Sequence, residues 1–158
     1  ALIAAGVDAP DFSLPNQDGA AVKKDDFAGR YVLLWWYPKA EPRLNIEGNG
    51  FRDRIQDFED RNASIVGVSY DSPADNGAFR DKFSFPYDLL SDEDGAMSIA
   101  YGVSETDSPR SPRKSVLIGP DGKIAVAYDA VTPADHPAQV IADLDGLKSA
   151  AENRISGA

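Results

Sequence analysis

No cysteine occurs anywhere in the 158 residues. That absence excludes disulfides, thiolate metal sites, iron–sulfur clusters and any chemistry that turns over a thiol. The only sulfur belongs to Met97, a thioether that can be oxidised once and has no resolving partner. Histidine is as scarce, with His136 alone, so neither a zinc site of the usual ligand set nor a Ser/His/Asp triad is expected. No stretch approaches the roughly 20 apolar residues of a membrane span. The opening Ala1-Leu2-Ile3-Ala4-Ala5 lacks the basic region of a signal peptide, and a cytoplasmic protein is expected. Positive charge is also short. Sixteen Lys and Arg against 26 Asp and Glu leave a net charge of −10, which repels phosphate backbones and anionic lipid and argues against nucleic-acid or membrane partners. The glycines are scattered and form no phosphate loop. No cofactor and no metal is expected.

What the sequence does contain is ordinary for a globular protein: 42% hydrophobic and 27% charged residues, at a length suited to one domain. No repeat or linker divides it, so residues 1–158 are read as a single domain. Ala9 to Pro15 reads as a short edge strand, Asn16-Gln17-Asp18-Gly19 as a turn, and Ala20 to Lys24 as the returning arm of a hairpin. Tyr31 to Tyr37 is a continuous apolar and aromatic run, the pattern of a strand covered on both faces, ended by Pro38. Trp35 and Trp36 must then point to opposite faces, as core residues rather than a ligand-stacking pair. From Asn45, a plausible N-cap, to Arg61 the pattern is helical, with Phe51, Ile55 and Phe58 on one stripe. Ser64 to Ser69 is a second buried strand. Ser72-Pro73-Ala74-Asp75 opens a helix to about Phe83 that buries Phe79 and Phe83.

Tyr87 to Leu90 reads as a short strand and Asp92 to Tyr101 as a short helix. The acids of Asp92-Glu93-Asp94-Gly95 fit a turn into that helix better than a calcium loop, whose twelve-position pattern is absent. Lys114 to Ile118 and Lys123 to Tyr128 flank Gly119-Pro120-Asp121-Gly122 as a β-hairpin. The last helix, about Asp135 to Ala150, carries Val140, Ile141, Leu144 and Leu147 on one face, with His136 at its start. Parallel units followed by an antiparallel hairpin define an α/β fold, a mixed sheet sandwiched by helices with an N-terminal β-hairpin extension.

Several pieces stand in a recognisable order: Ala9-Pro10-Asp11-Phe12-Ser13-Leu14, then Tyr31 to Lys39, Gly50-Phe51-Arg52-Asp53, Val66-Gly67-Val68-Ser69 with Asp71-Ser72-Pro73, Leu89 to Asp92, Tyr101-Gly102-Val103, Arg113 to Ile118, and Pro120 to Ile124. Together they resemble the peroxiredoxin family of the AhpC/TSA superfamily, in particular its bacterioferritin-comigratory or Q-type branch, from about Gly6 to Leu147. The resemblance implies a thioredoxin-like fold and a thiol peroxidase site. The family's reactive motif is Pro, three residues, Thr or Ser, two residues, Cys. Pro38, Glu47 and Arg113 match the family pattern. Counting back from Gly50-Phe51-Arg52-Asp53, Leu44 stands at the peroxidatic Cys position, Glu41 at the Thr position and Asn49 at the resolving Cys position, with one residue missing between Pro38 and Glu41.

Leucine has no lone pair and no ionisable proton, so thiol-dependent activity is expected to be absent. The resemblance brings Pro38, Glu41, Leu44 and Arg113 around one small pocket. Glu41 is expected to meet Arg113 there, either as a salt bridge that fills a dead pocket or as an acid/base carboxylate beside an arginine anion anchor. Three readings of function follow: a redox-inactive protein that binds or regulates a protein or small-molecule partner, as monomer or homodimer; an enzyme that reuses the pocket for non-thiol chemistry; or a thiol peroxidase by family label only.

Overall fold

The structure, a computed structural model, describes residues 1–41, 46–104 and 110–156. The chain opens with β1 (Ser13–Pro15) and β2 (Ala21–Lys23), paired antiparallel as the predicted hairpin. Asn16 closes the turn, its Oδ1 accepting from the backbone N–H of Asp18 at 2.9 Å and of Ala20 at 3.0 Å. A 3-10 turn, Lys24–Phe27, leads into β3 (Tyr31–Trp36). There follow α1 (Ile46–Asp53), α2 (Ile55–Glu59), β4 (Ala63–Ser69), α3 (Pro73–Phe83), β5 (Asp88–Ser91), α4 (Ala96–Ala100), β6 (Ser115–Ile118), β7 (Ile124–Tyr128) and α5 (His136–Ser156).

The main sheet has the order β5-β4-β3-β6-β7, with β3, β4 and β5 parallel and β6 and β7 antiparallel. The expected aromatic strand is therefore central, and alternation sends its side chains to two cores. Leu33, Trp35 and Tyr37 pack with Phe51, Phe58, Phe79, Phe85, Val140 and Leu144 under α1, α2, α3 and α5. Val32, Leu34 and Trp36 pack with Met97, Tyr101, Phe12 and Val22 under α4 and the N-terminal hairpin. Both tryptophans are fully buried. Among the described residues no helix is long and apolar enough to cross a membrane.

Three local readings are corrected. The helix expected over 45–61 is two: Arg54, at φ −110 and ψ 15, interrupts it, and its N–H bonds back only three residues to the Phe51 carbonyl at 3.2 Å. The break lets Phe51 and Phe58 enter the same core with their rings 5.7 Å apart. The Asn45 cap lies outside the described residues. The second correction concerns Phe83, which is only half buried. Ser72 caps α3 as expected, its Oγ accepting from the Asp75 N–H at 3.2 Å. At the far end Ser84 adopts the left-handed conformation, φ 53, and turns the chain so that Phe85 enters the core instead. Finally, the helix expected from Asp92 begins only at Ala96, and Asp92 serves it from outside. Its carboxylate is fully buried and accepts from the N–H of Met97 at 3.3 Å, the N–H of Ser98 at 2.8 Å and Ser98 Oγ at 2.7 Å. Ser98 Oγ in turn accepts from Trp36 Nε1 at 2.9 Å.

His136 stands at the start of α5, as read from the sequence, and is fully buried. Nε2 lies 2.9 Å from Ser115 Oγ and Nδ1 2.9 Å from Gln139 Oε1. Its ring meets Tyr128 edge-on at 4.7 Å. Burial holds its pKa below the ordinary 6.5, so the folded state keeps it neutral where an unfolded chain would charge it. The stability this provides is present above pH 6.5 and is lost as the pH falls from there through the folded pKa. His136→Gln is expected to flatten this acid-side loss, read from urea unfolding at about pH 5 and pH 7. Equal losses in parent and variant would refute it.

Candidate functional site

β3 ends at Trp36, and the chain passes through Tyr37 and Pro38 beyond the carboxyl ends of the parallel strands, where open α/β sheets carry their sites. The platform beneath is a buried polar network. Tyr37 Oη donates to Asn76 Oδ1 at 2.6 Å, Ser69 Oγ donates to the same atom at 3.3 Å, and Asn76 Nδ2 donates to Ser91 Oγ at 3.1 Å. The network ties the carboxyl ends of β3, β4 and β5 to α3. Asp71 fixes the next segment by accepting from the Ala40 N–H at 2.8 Å. From the sequence, Tyr37, Ser69, Asp71 and Ser91 appear only within longer segments, and Asn76 is not singled out. Across the sheet, the Trp36 N–H donates to the Lys114 carbonyl at 2.9 Å, and the antiparallel register continued by one residue sets Arg113 opposite Tyr37, at the head of β6.

The carboxylate that meets Arg113 is Glu47, with Oε1 3.3 Å from Nη1. Glu41, expected in that role, lies instead 3.5 Å from Lys39 and 3.7 Å from Arg110. The reason is positional. Glu41 belongs to the irregular segment after Pro38, whereas Glu47 is in the first turn of α1 and faces the sheet with Phe51, four residues on. A carboxylate on the buried stripe of a helix needs a cation, and that was the signal available in the sequence. Leu44 lies outside the described residues. Asn49 is on α1, half buried, with its Oδ1 enclosed and without a hydrogen-bond donor among the described residues.

Glu47 is 1% exposed and its Oε2 also lacks a partner among the described residues. Burial pushes its pKa from 4.5 to about 8, and the Arg113 guanidinium only partly offsets this. The carboxyl therefore holds its proton to a higher pH than an exposed glutamate does, and while protonated it compensates less of the charge of Arg113, which is 22% exposed. The arrangement can hold an anionic group on Arg113 and a proton on Glu47. Gly48, between Glu47 and Asn49, allows α1 to come this close: a Cβ there would lie 2.7 Å from Phe85 Cζ. Among the described residues no three His, Asp or Glu side chains converge as a metal ion would need.

Comparison with known proteins places these features in context. The AhpC/TSA family matches residues 5–127. Peroxiredoxin Bcp of Escherichia coli K12 is 36% identical over 139 residues, covering 84% of this chain and 89% of that protein. Peroxiredoxin Bcp of Bacillus subtilis is 32% identical over 149 residues, covering 90% and 95%. Among solved structures, peroxidoxin BcpB of Mycobacterium tuberculosis superposes with a TM-score of 0.82 at 28% identity, over 90% of this chain and 96% of that one. A cysteine-to-serine mutant of Xylella fastidiosa PrxQ superposes at 0.83 and 28%, over 96% and 99%.

Proposed function

The chain belongs to the AhpC/TSA family of peroxiredoxins, with Bcp and PrxQ proteins among its relatives, and from that premise we propose that it has given up thiol peroxidase turnover and acts by binding at the former peroxide pocket. One observation carries the reading: no cysteine stands anywhere in the chain, so Leu44 and Asn49, which the spacing of neighbouring residues assigns to the family's two cysteine positions, can supply no thiolate. Peroxide reduction by this family needs a thiolate to attack the O–O bond, and no other side chain here supplies one. Arg113 is retained, and with Glu47 protonated it offers its charge to an anionic group on a small molecule or a partner protein in the cytoplasm. Pro38 and the Asp71-anchored segment frame the same place.

A second reading has one observation in its favour. A buried carboxyl with a pKa near 8 beside an arginine suits proton transfer close to neutrality, so Glu47, rather than Glu41, would be the acid/base group of a non-thiol enzyme.

Purified protein is expected to consume hydrogen peroxide no faster than a boiled control, with either thioredoxin or dithiothreitol as reductant. Turnover that survives removal of contaminating peroxidases would overturn the proposal.

A further inference from the structure

A cavity lies at the opposite end of the sheet, where β4 begins. β4 starts at Ala63, but β5 joins it only from the pair Val66 and Asp88. Over Ala63 to Ile65 the outer edge of β4 has no strand beside it. The direction of its backbone groups follows from the ladder. Tyr31 and Tyr37 donate to the carbonyls of Asn62 and Val68, so even-numbered residues face β3; Asp92 donates to the carbonyl of Ser69, so odd-numbered residues face outward. The Ala63 carbonyl and the Ile65 N–H therefore point into the place where β5 would continue, and neither has a partner among the described residues. Buried backbone groups are nearly always paired, and an unpaired donor and acceptor at a strand edge form a template for another strand.

That place is a cavity of about 380 Å³. Its two walls belong to the two faces of the sheet. Phe27 and Arg30 form one: Phe27 packs on the core that holds Val66, and Arg30 donates to Ser64 Oγ at 3.1 Å. Ile55 and Glu59, one turn apart on α2, form the other, and Ile55 packs on the core that holds Ile65. Among the described residues Arg30 and Glu59 have no oppositely charged partner. An added strand sends successive side chains to opposite faces. An acidic residue next to a basic one would thus meet Arg30 on one face and Glu59 on the other.

We propose that this cavity takes a short extended segment of a partner protein, which adds to β4 through its main chain in line with β5 and carries adjacent acidic and basic side chains for Arg30 and Glu59.

The test uses the full chain, 15N-labelled, and the capped hexapeptide acetyl-Val-Thr-Asp-Lys-Thr-Val-amide. Backbone resonances of residues 62–66 and 86–88 are expected to shift on titration, with a Kd of about 1 mM or tighter, and exchange of the Ile65 amide is expected to slow. Two N-methylated peptides separate strand addition from general adhesion, because only alternate N–H groups of an added strand face β4. Methylation of one alternate set is expected to abolish binding and of the other to spare it. Glu59→Lys, at an exposed position, is expected to weaken the parent peptide by about fivefold and to bind better the peptide whose Lys is replaced by Glu. No localised shift at about 10 mM peptide, equal behaviour of the two methylated peptides, or shifts confined to the Pro38 and Arg113 end would overturn the proposal.

Discussion

Phe51→Ala is expected to lower the unfolding free energy by about 3–5 kcal/mol, as truncation of a fully buried aromatic does. Phe51 is wholly enclosed, with its ring centroid 5.5 Å from Trp35, 5.7 Å from Phe58 and 5.8 Å from His136. It thus joins the site helix to the central strand, to α2 and to α5 at one point. Each neighbour is itself held elsewhere, so the space left by the ring cannot close by small shifts, and the cavity adds to the lost burial. The same truncation removes the anchor of Glu47 one turn earlier, so the Arg113 pair should loosen as well. Urea unfolding with an unchanged slope and a lower midpoint would show the effect. A loss below about 1 kcal/mol would mean that α1 packs less tightly than described.

The second large effect is a pH dependence that Glu47→Gln should abolish. The parent carboxyl titrates near 4.5 when unfolded and near 8 when folded. Between these values the folded state holds a proton that the unfolded state has released, so stability falls as the pH rises. The contribution is fully present below 4.5 and is lost as the pH rises through about 8. Each pH unit in that window changes stability by about 1.4 kcal/mol, so the total is on the order of several kcal/mol. Glutamine cannot ionise and still offers an oxygen to Arg113. The variant should match the parent near pH 4.5 and exceed it at about pH 9. Parallel stability curves for the two proteins would refute the buried, proton-bearing Glu47. His136 acts with the opposite sign on the acid side, so a double variant separates the two slopes.

How much of this was legible in the sequence differs from element to element. The uninterrupted apolar run of Tyr31 to Tyr37 required two covered faces, and the alternation of Trp35 and Trp36 into two cores followed from strand geometry alone. The Ser72-Pro73 cap and the hairpin around Gly119-Pro120-Asp121-Gly122 were equally local, set by a few neighbouring residues. Features that depend on distant partners were not legible. Phe83 and Phe85 are equally apolar, and only the left-handed turn at Ser84 decides which enters the core. The interruption at Arg54 has no proline or glycine at that residue to announce it. At the site, spacing read Glu41 at the family's Thr position and Glu47 as a match to the family pattern, but it did not decide which of the two acids meets Arg113. Arg113 approaches from β6, more than sixty residues away in sequence. Its choice between the two acids is settled by how α1 seats on the sheet, a matter of packing around Gly48 and Phe51.

The placement of the two tryptophans gives the molecule two optical reporters on adjacent residues. Trp35 and Trp36 are the only indoles in the chain, and both are shielded from water. Trp36 donates its Nε1 proton to Ser98, within the layer formed by α4 and the hairpin. Trp35 lies in the other layer, against Phe51 and Tyr37, with its Nε1 unbonded among the described residues. One strand thus presents a hydrogen-bonded chromophore to one half of the protein and an unbonded one to the other. Fluorescence from a chain that keeps only Trp35 reads the half that carries Glu47 and Arg113. Fluorescence from one that keeps only Trp36 reads the half that does not.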